Sequence, residues 1–239
     1  MSDAQLSKPP RTAKVPSKSR IAYAQVLSRA GLGLSAPTVR IEVHLTGGLP
    51  GFTIVGLAAA AVRESRQRVR SAIENSGFDM PRRNIVVNLA PADLPKEGGR
   101  FDLAIAVGLL AAAGMLDEHT HAALCHYELL GELSLSGELR PLRGMLPAAR
   151  ACARAGRSLL LPQPSASEAA LVGDLEAFGA QTLLASLNHL SGKSVLPRAH
   201  ANAVTTVLQY PDLSDVQGQT FARRALEVAA SGGHNMLKL

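Results

Sequence analysis

Tryptophan is absent from this chain, and aromatic residues of all kinds make up only 3% of its 239 residues. A core must therefore be assembled from Ala, Leu, Val and Ile. With 46% apolar residues the chain has ample material for one. Long hydrophobic runs are missing too. The longest, LAIAVGLLAAAGML from Leu103 to Leu116, has 14 residues, short of the roughly 20 that cross a bilayer. It reads as a buried helix, and a membrane partner is not expected. The basic N-terminal stretch is followed by no apolar region of the secretory kind, so a cytoplasmic location is expected. Cysteine is scarce as well. Cys125 and Cys152 form no CxxC pair, which excludes a disulfide framework and leaves both as reduced, small apolar residues.

What is present begins with charge. The net charge of +6 is uneven. Residues 1–20 hold Lys8, Arg11, Lys14, Lys18 and Arg20 against Asp3, a balance of +4 that leaves +2 for the remainder. The high basicity thus belongs mainly to a Pro/Ser-containing tail without apolar periodicity, which reads as a disordered, solvated segment.

Beyond the tail, residues 21–191 read as one α/β (α+β) domain. The segment PTVRIEVHL places Val39, Ile41, Val43 and Leu45 on one face of a strand. FTIVGL, NIVVNLAP, SLLLP and LEAFGA read as further strands. YELLGELSLSGELRPL reads as strands joined by a Gly turn. Helices are expected over 58–76, 101–114, 145–155, around 167–171, and over 182–190. Gly77 stands where the first must stop, and Pro147 lies in the first turn of the third. Residues 192–210 read as a linker. Residues 211–239, with a helix near 219–230 and the start of a strand at HNMLKL, read as the opening of a second domain.

Several stretches carry chemistry-bearing residues. SGKS at Ser191–Ser194 imitates a phosphate loop. The motif GxxxxGK(S/T) needs a strand before it and a helix after it, so that backbone N–H groups face the phosphates. Leu187 stands where the first Gly belongs, and no helix follows. DEHTHAALCH, residues 117–126, gathers acids, histidines and a thiol. The i,i+2 spacing of His119 and His121 matches neither a strand face nor a helix face, so a solvated loop without metal is expected. Arg63, Arg66 and Arg70 fall in one sector of the first helix and form a small basic ridge; with Arg82 and Arg83 they are the candidate contacts for DNA phosphates.

The stretch LPKEGGRFDL, residues 94–103, looks most like a site. It resembles the Ser-Lys peptidase domain of Lon-type proteases, in which a Pro-Lys-Asp-Gly-Pro-Ser turn opens a helix. Pro95, Lys96, Gly98 and Gly99 match the turn. The position of the nucleophilic Ser is Arg100, and that of the base Lys falls at Leu146. A guanidinium does not lose its proton at neutral pH, and a Leu accepts none, so the acyl-transfer pair is missing. Asp102 suits the positive end of a helix dipole, a gain of roughly 0.3–1 kcal/mol. Arg100 does not, so a partner is expected for it, and the two residues are expected to face each other across the first turn.

A wider resemblance covers about residues 23–237. The blocks IEVHLTGGLPGFTIVGL, NLAPADLPKEGGRFDL, GELSLSGELRP and DVQGQTFARRALEVAASGGHN are similar to the ComM/YifB proteins, which are Mg-chelatase-related AAA+ ATPases. This implies a Lon-protease-like fold, of the kind also met in a ribosomal-protein domain, for the large domain. It also implies that 211–239 is the first helix of an AAA+ domain cut before its Walker A loop. In the family the motor binds ATP and Mg²⁺, forms hexamers and promotes DNA branch migration during natural transformation. The expectation for this chain is a non-catalytic module without cofactor, able to contact DNA or copies of itself. Its alternatives are an ATP-binding Mg-chelatase-type subunit and a degenerate Ser-Lys peptidase.

Overall fold

The computed structural model describes residues 22–56, 60–96, 98–201 and 212–236. The basic tail, the start of the first helix, Glu97, residues 202–210 of the expected linker with residue 211, and the last three residues lie outside the described residues. Two compact units are defined, Met1–Asn202 and Ala203–Leu239.

In the first unit the strands are β1 (Ala22–Arg29), β2 (Thr38–Thr46), β3 (Gly51–Val55), β4 (Asn84–Ala90), β5 (Tyr127–Leu129), β6 (Glu132–Leu133), β7 (Leu139–Arg140), β8 (Ser158–Pro162) and β9 (Ala177–Ala180). Its helices are α1 (Ala60–Asn75), α2 (Asp102–Ala112), α3 (Glu118–Ala123), α4 (Leu146–Arg154), α5 (Gln163–Ala169) and α6 (Leu183–Leu190). A seven-stranded sheet runs in the order β3-β4-β2-β1-β5-β8-β9, and β6 and β7 pair separately. β2 is antiparallel to both β1 and β4, whereas β3–β4, β1–β5, β5–β8 and β8–β9 are parallel. The mixed α/β class is as the sequence led us to expect.

Alternation decides which side of the sheet is covered. Val39, Ile41, Val43 and Leu45 are fully buried, as are Val87 and Leu89 of β4. They pack with α1 and α2 in one continuous core that also takes in Leu183, Leu187 and Leu190 of α6. In α1 the buried stripe is Val62, Ser65, Val69, Ala72 and Ile73, one helical face at the 3.6-residue period. α2 is buried on every side, as its unbroken apolar sequence requires. Gly108 lets it lie close to the sheet, because a Cβ there would sit 2.9 Å from Val43 Cγ2. Each fully buried Leu, Ile or Val contributes about 1.5–3 kcal/mol relative to exposure.

A second core occupies the opposite side of the sheet, but only beneath β5, β8 and β9. Leu159 and Leu161 of β8 join Met145, Ala148, Ala149 and Cys152 of α4, with Ala166 and Ala169 of α5. Leu160, between them, belongs to the first core. The alternate residues of β1, β2 and β4 on this side, among them Gln25, Arg40, Glu42 and Asn88, are exposed or half-buried. Among the described residues of the first unit, this half of the sheet therefore presents an uncovered face.

Four local expectations differ from the structure. The helix expected around 167–171 is α5, Gln163–Ala169, with Pro164 in its first turn. The solvated loop expected at 117–126 contains α3, capped by the Asp117 carboxylate, which accepts from the backbone N–H of Thr120. Cys125 is exposed, its thiol 3.1 Å from the Ala122 carbonyl, while Cys152 is buried as expected. The start of the expected linker is tied to the first unit. Ala199 N–H donates to Ala177 O at 2.7 Å, and Leu196 N–H to His189 Nδ1 at 3.1 Å.

The second unit holds a short 3-10 turn, Leu213–Asp215, closed by a capping box from Asp212, and helix α7, Thr220–Gly232. No residue of α7 is buried. Among the described residues, no helix is long and apolar enough to cross a membrane.

Candidate functional site

The turn between β4 and α2 is built around a buried lysine. Lys96 is 1% exposed, and its Nζ donates to three backbone carbonyls: Pro91 at 2.5 Å, Gly56 at 2.9 Å and Leu94 at 3.0 Å. An ammonium has three N–H donors, so its capacity is exhausted within the turn. Burial lowers its pKa from the ordinary lysine value, and the nearby Asp93 opposes that shift. Lys96 is a clamp that joins the ends of β3 and β4, and among the described residues its hydrogen bonds go only to backbone carbonyls.

The start of α2 is held by Asp102, which is fully buried. Its carboxylate accepts from Arg68 Nε at 2.7 Å and Arg68 Nη2 at 3.2 Å, and from Leu133 N–H at 3.2 Å. Arg68 Nη2 also donates to Ser65 Oγ at 3.0 Å. Burial pushes the Asp102 carboxyl up, while Arg68, Ser65 and Leu133 pull it back. The expectation that Arg100 would face Asp102 is corrected: a two-point guanidinium from α1 has taken that place. Arg100 is half-buried and lies on Gly31, where a Cβ would come within 2.7 Å of its Nη1. Among the described residues its guanidinium makes no hydrogen bond or ion pair, and burial lowers its pKa. The expected partner of Arg100 is therefore not found among them. Gly99 admits the Glu132 carboxylate, which would lie 2.7 Å from a Cβ at that position.

Leu146, at the position of the missing base, is 43% exposed at the start of α4, and its N–H donates to Glu168 Oε1 at 3.1 Å. Neither the nucleophile position nor the base position carries a group that could form or break an acyl bond.

The basic candidates fall in two separate places. Arg66 and Arg70 line a shallow groove of about 290 Å³ with Phe52 and Gln67, and Arg66 Nη1 donates to Phe52 O at 3.2 Å. The side chain of Arg63 lies outside the described residues. Arg82 lines a different groove, where Glu74 and Asp79 offset its charge, and Arg83 is half-buried. SGKS caps the C-terminal end of α6, the wrong end of a helix for a phosphate. Among the described residues no group of three His, Cys, Asp or Glu side chains is placed to hold a metal.

Sequence reasoning missed a second buried cluster. Glu128 in β5 is fully buried and takes Arg29 in a two-point pair, Nε to Oε2 at 2.5 Å and Nη2 to Oε1 at 2.7 Å. Arg157 Nη1 reaches the same Oε1 at 2.9 Å. The available signal was a lone carboxylate inside an apolar strand, which demands a cation wherever the fold brings one.

Comparison with known proteins gives consistent matches. The family model "Subunit ChlI of Mg-chelatase" matches residues 41–165, and "Magnesium chelatase, subunit ChlI" matches residues 212–239. The competence protein ComM of Haemophilus influenzae is 46% identical over 224 residues, covering 92% of this chain and 43% of that protein. The uncharacterized protein YifB of Escherichia coli is 47% identical over 213 residues, covering 89% and 41%. An uncharacterized protein of Mycobacterium tuberculosis is 40% identical over 218 residues, covering 91% and 43%. The chain thus spans less than half the length of the curated relatives it matches.

Proposed function

Because the chain belongs to the ComM/YifB family of Mg-chelatase-related proteins, we propose that its large unit is a non-catalytic interaction module of a DNA-processing machine. One observation carries this reading. Arg100 stands where a nucleophile would be needed, and Lys96 is fully engaged by carbonyls of the turn. A guanidinium is no nucleophile at neutral pH, and an ammonium saturated by the fold holds a scaffold in place; neither turns over a peptide. On this reading ATP and Mg²⁺ chemistry, the AAA+ hexamer and DNA branch migration in natural transformation belong to longer family members. This chain, in the cytoplasm, contributes assembly with its own copies or contact with DNA.

Purified chain incubated with an unfolded protein substrate, and separately with ATP and Mg²⁺, is expected to turn over neither. Turnover proportional to chain concentration would overturn the reading. DNA contact is tested at the α1 groove. Replacing Arg66 and Arg70 with Ala should flatten the log–log salt dependence of duplex affinity by about 0.9 per lost phosphate contact. An unchanged slope would move DNA contact away from this helix.

A further inference from the structure

The buried cluster of Arg29, Glu128 and Arg157 stands at a step in the architecture. On its side of the sheet, the layer of α4 and α5 covers β5, β8 and β9 and then ends. Beyond the step, no described element of the first unit covers β1, β2 and β4. A cleft of about 500 Å³ lies there, lined by Gln25, Leu27, Thr38, Arg40, Pro91 and Arg157. That volume falls in the range of small-ligand sites.

The charges around this cleft do not balance. Glu128 is one carboxylate with two arginines bound to it. Arg29 Nη1 is engaged further by the Ala36 carbonyl at 2.8 Å, so Arg29 is fixed beneath the cleft. Arg157 gives Glu128 one N–H and keeps its other donors, its side chain being 30% exposed. Arg40 is exposed and makes no hydrogen bond or ion pair among the described residues. The nearest further carboxylate in the register, Glu42, sits opposite Gln25 and accepts from Asn88 Nδ2 at 2.8 Å. Three guanidinium groups therefore stand against two carboxylates, Glu128 and Glu42, whose charge a neutral amide does not cancel, and an excess of one positive charge remains. The cleft also offers the Thr38 hydroxyl. It offers the Gln25 amide as well, whose oxygen accepts from Tyr23 at 3.4 Å and whose NH₂ remains a donor.

We propose that this cleft is a binding site for a phosphate group, held between Arg40 and Arg157 with Thr38 and Gln25 as neutral donors. A phosphate anion draws on this positive excess, and guanidinium forks match its tetrahedral oxygens. Glu128 fixes the orientation of Arg157 without neutralising the site, because Arg29 already balances it. The phosphate may come as the free ion, on a nucleoside, or in a nucleic-acid strand; the recognised chemistry is the same.

Isothermal titration and amide NMR on the full chain at low salt test this, with inorganic phosphate, thymidine monophosphate and a short oligothymidylate as probes. Phosphate-bearing probes are expected to shift the amides of Gln25, Thr38 and Arg157. Arg40→Ala and Arg157→Gln should each weaken binding about tenfold, the loss of one charge-assisted bond. Arg154→Ala, an exposed residue away from the cleft, should leave it unchanged. Arg40 makes no hydrogen bond or ion pair among the described residues, so its variant reports on the site even if Arg157→Gln loosens the fold. Equal affinity for all three probes identifies the bare phosphate as the unit recognised. A gain with the nucleoside identifies a nucleotide, and a gain with strand length a nucleic-acid backbone. Absence of binding by every probe up to about 10 mM, well past a weak millimolar affinity, overturns the proposal. So does binding that neither Arg40→Ala nor Arg157→Gln affects.

Discussion

The two halves of the sheet solve the burial of charge in opposite ways. In the antiparallel half, the buried charges of the turn are satisfied by the fold: Asp102 takes Arg68, and Lys96 takes three carbonyls. In the parallel half, Glu128 is surrounded by more cation than it can neutralise. The first arrangement closes a turn that resembles a catalytic one. The second leaves charge facing an open cleft. The difference teaches that resemblance to a catalytic motif and capacity for chemistry need not coincide: in the site-like turn Lys96 and Asp102 are saturated and Arg100 is no nucleophile, whereas the open charge of the cleft has no motif.

The sharpest way to break this comparison is to remove the carboxylate at the seam. Glu128→Gln leaves Arg29, 5% exposed, without its anion. Losing one partner of a buried pair costs about 3–5 kcal/mol, expected as a drop in the urea midpoint at constant m-value. Replacing Arg29 and Glu128 together with Met and Leu should recover most of that loss, because an apolar pair of similar volume strands no fully buried charge, and Arg157, with 30% of its side chain exposed, can turn to water.

Asp102→Asn asks the same question of the antiparallel half and should cost less, about 2–3 kcal/mol. Arg68 keeps 21% of its side-chain surface exposed and can rehydrate, and Leu133 N–H keeps an amide oxygen as acceptor. If equilibrium unfolding ranks the two variants in the reverse order, the seam is not the more heavily charged environment.

These two clusters also mark how far the sequence could be read. β2 and β4 were legible because alternation is a local signal, and α2 because fourteen apolar residues have no other stable place. α5 was displaced because a seven-residue helix with Pro in its first turn has no period to detect. α3 was read as a loop because its three-residue cap, Asp117 to Thr120, lay beneath a more conspicuous group of histidines. The charge pairs were not legible at all. Arg68 and Asp102 are 34 residues apart, and Arg29 and Glu128 are 99 apart. Only the sheet order, which places β5 beside β1, brings the latter pair together.

A smaller effect distinguishes the halves by pH. His189 is 5% exposed, packs on Phe178 at 4.4 Å between ring centres, and accepts from Leu196 N–H through Nδ1. Burial lowers its pKa below the ordinary 6.5, so the folded state resists a proton that the unfolded chain accepts. Stability is then full above about pH 6.5 and falls as pH drops below it, by at most about 1.4 kcal/mol per unit. The fall ends once the folded-state pKa is passed. His189→Phe should remove this slope, read as the difference between the two proteins' urea midpoints from pH 7.5 to 5.

The smallest expected effect is the most informative about the open face. Arg40 is the third residue of β2, paired in register with Leu27 on one side and Ala90 on the other. It holds no partner among the described residues, so Arg40→Ala should change stability by less than about 0.5 kcal/mol. A charge placed on a sheet without a structural bond is retained at no gain to the fold. If thermal unfolding instead shows a loss above about 1 kcal/mol, Arg40 is part of the scaffold, and the contrast between a closed half and an open half fails at its most exposed residue.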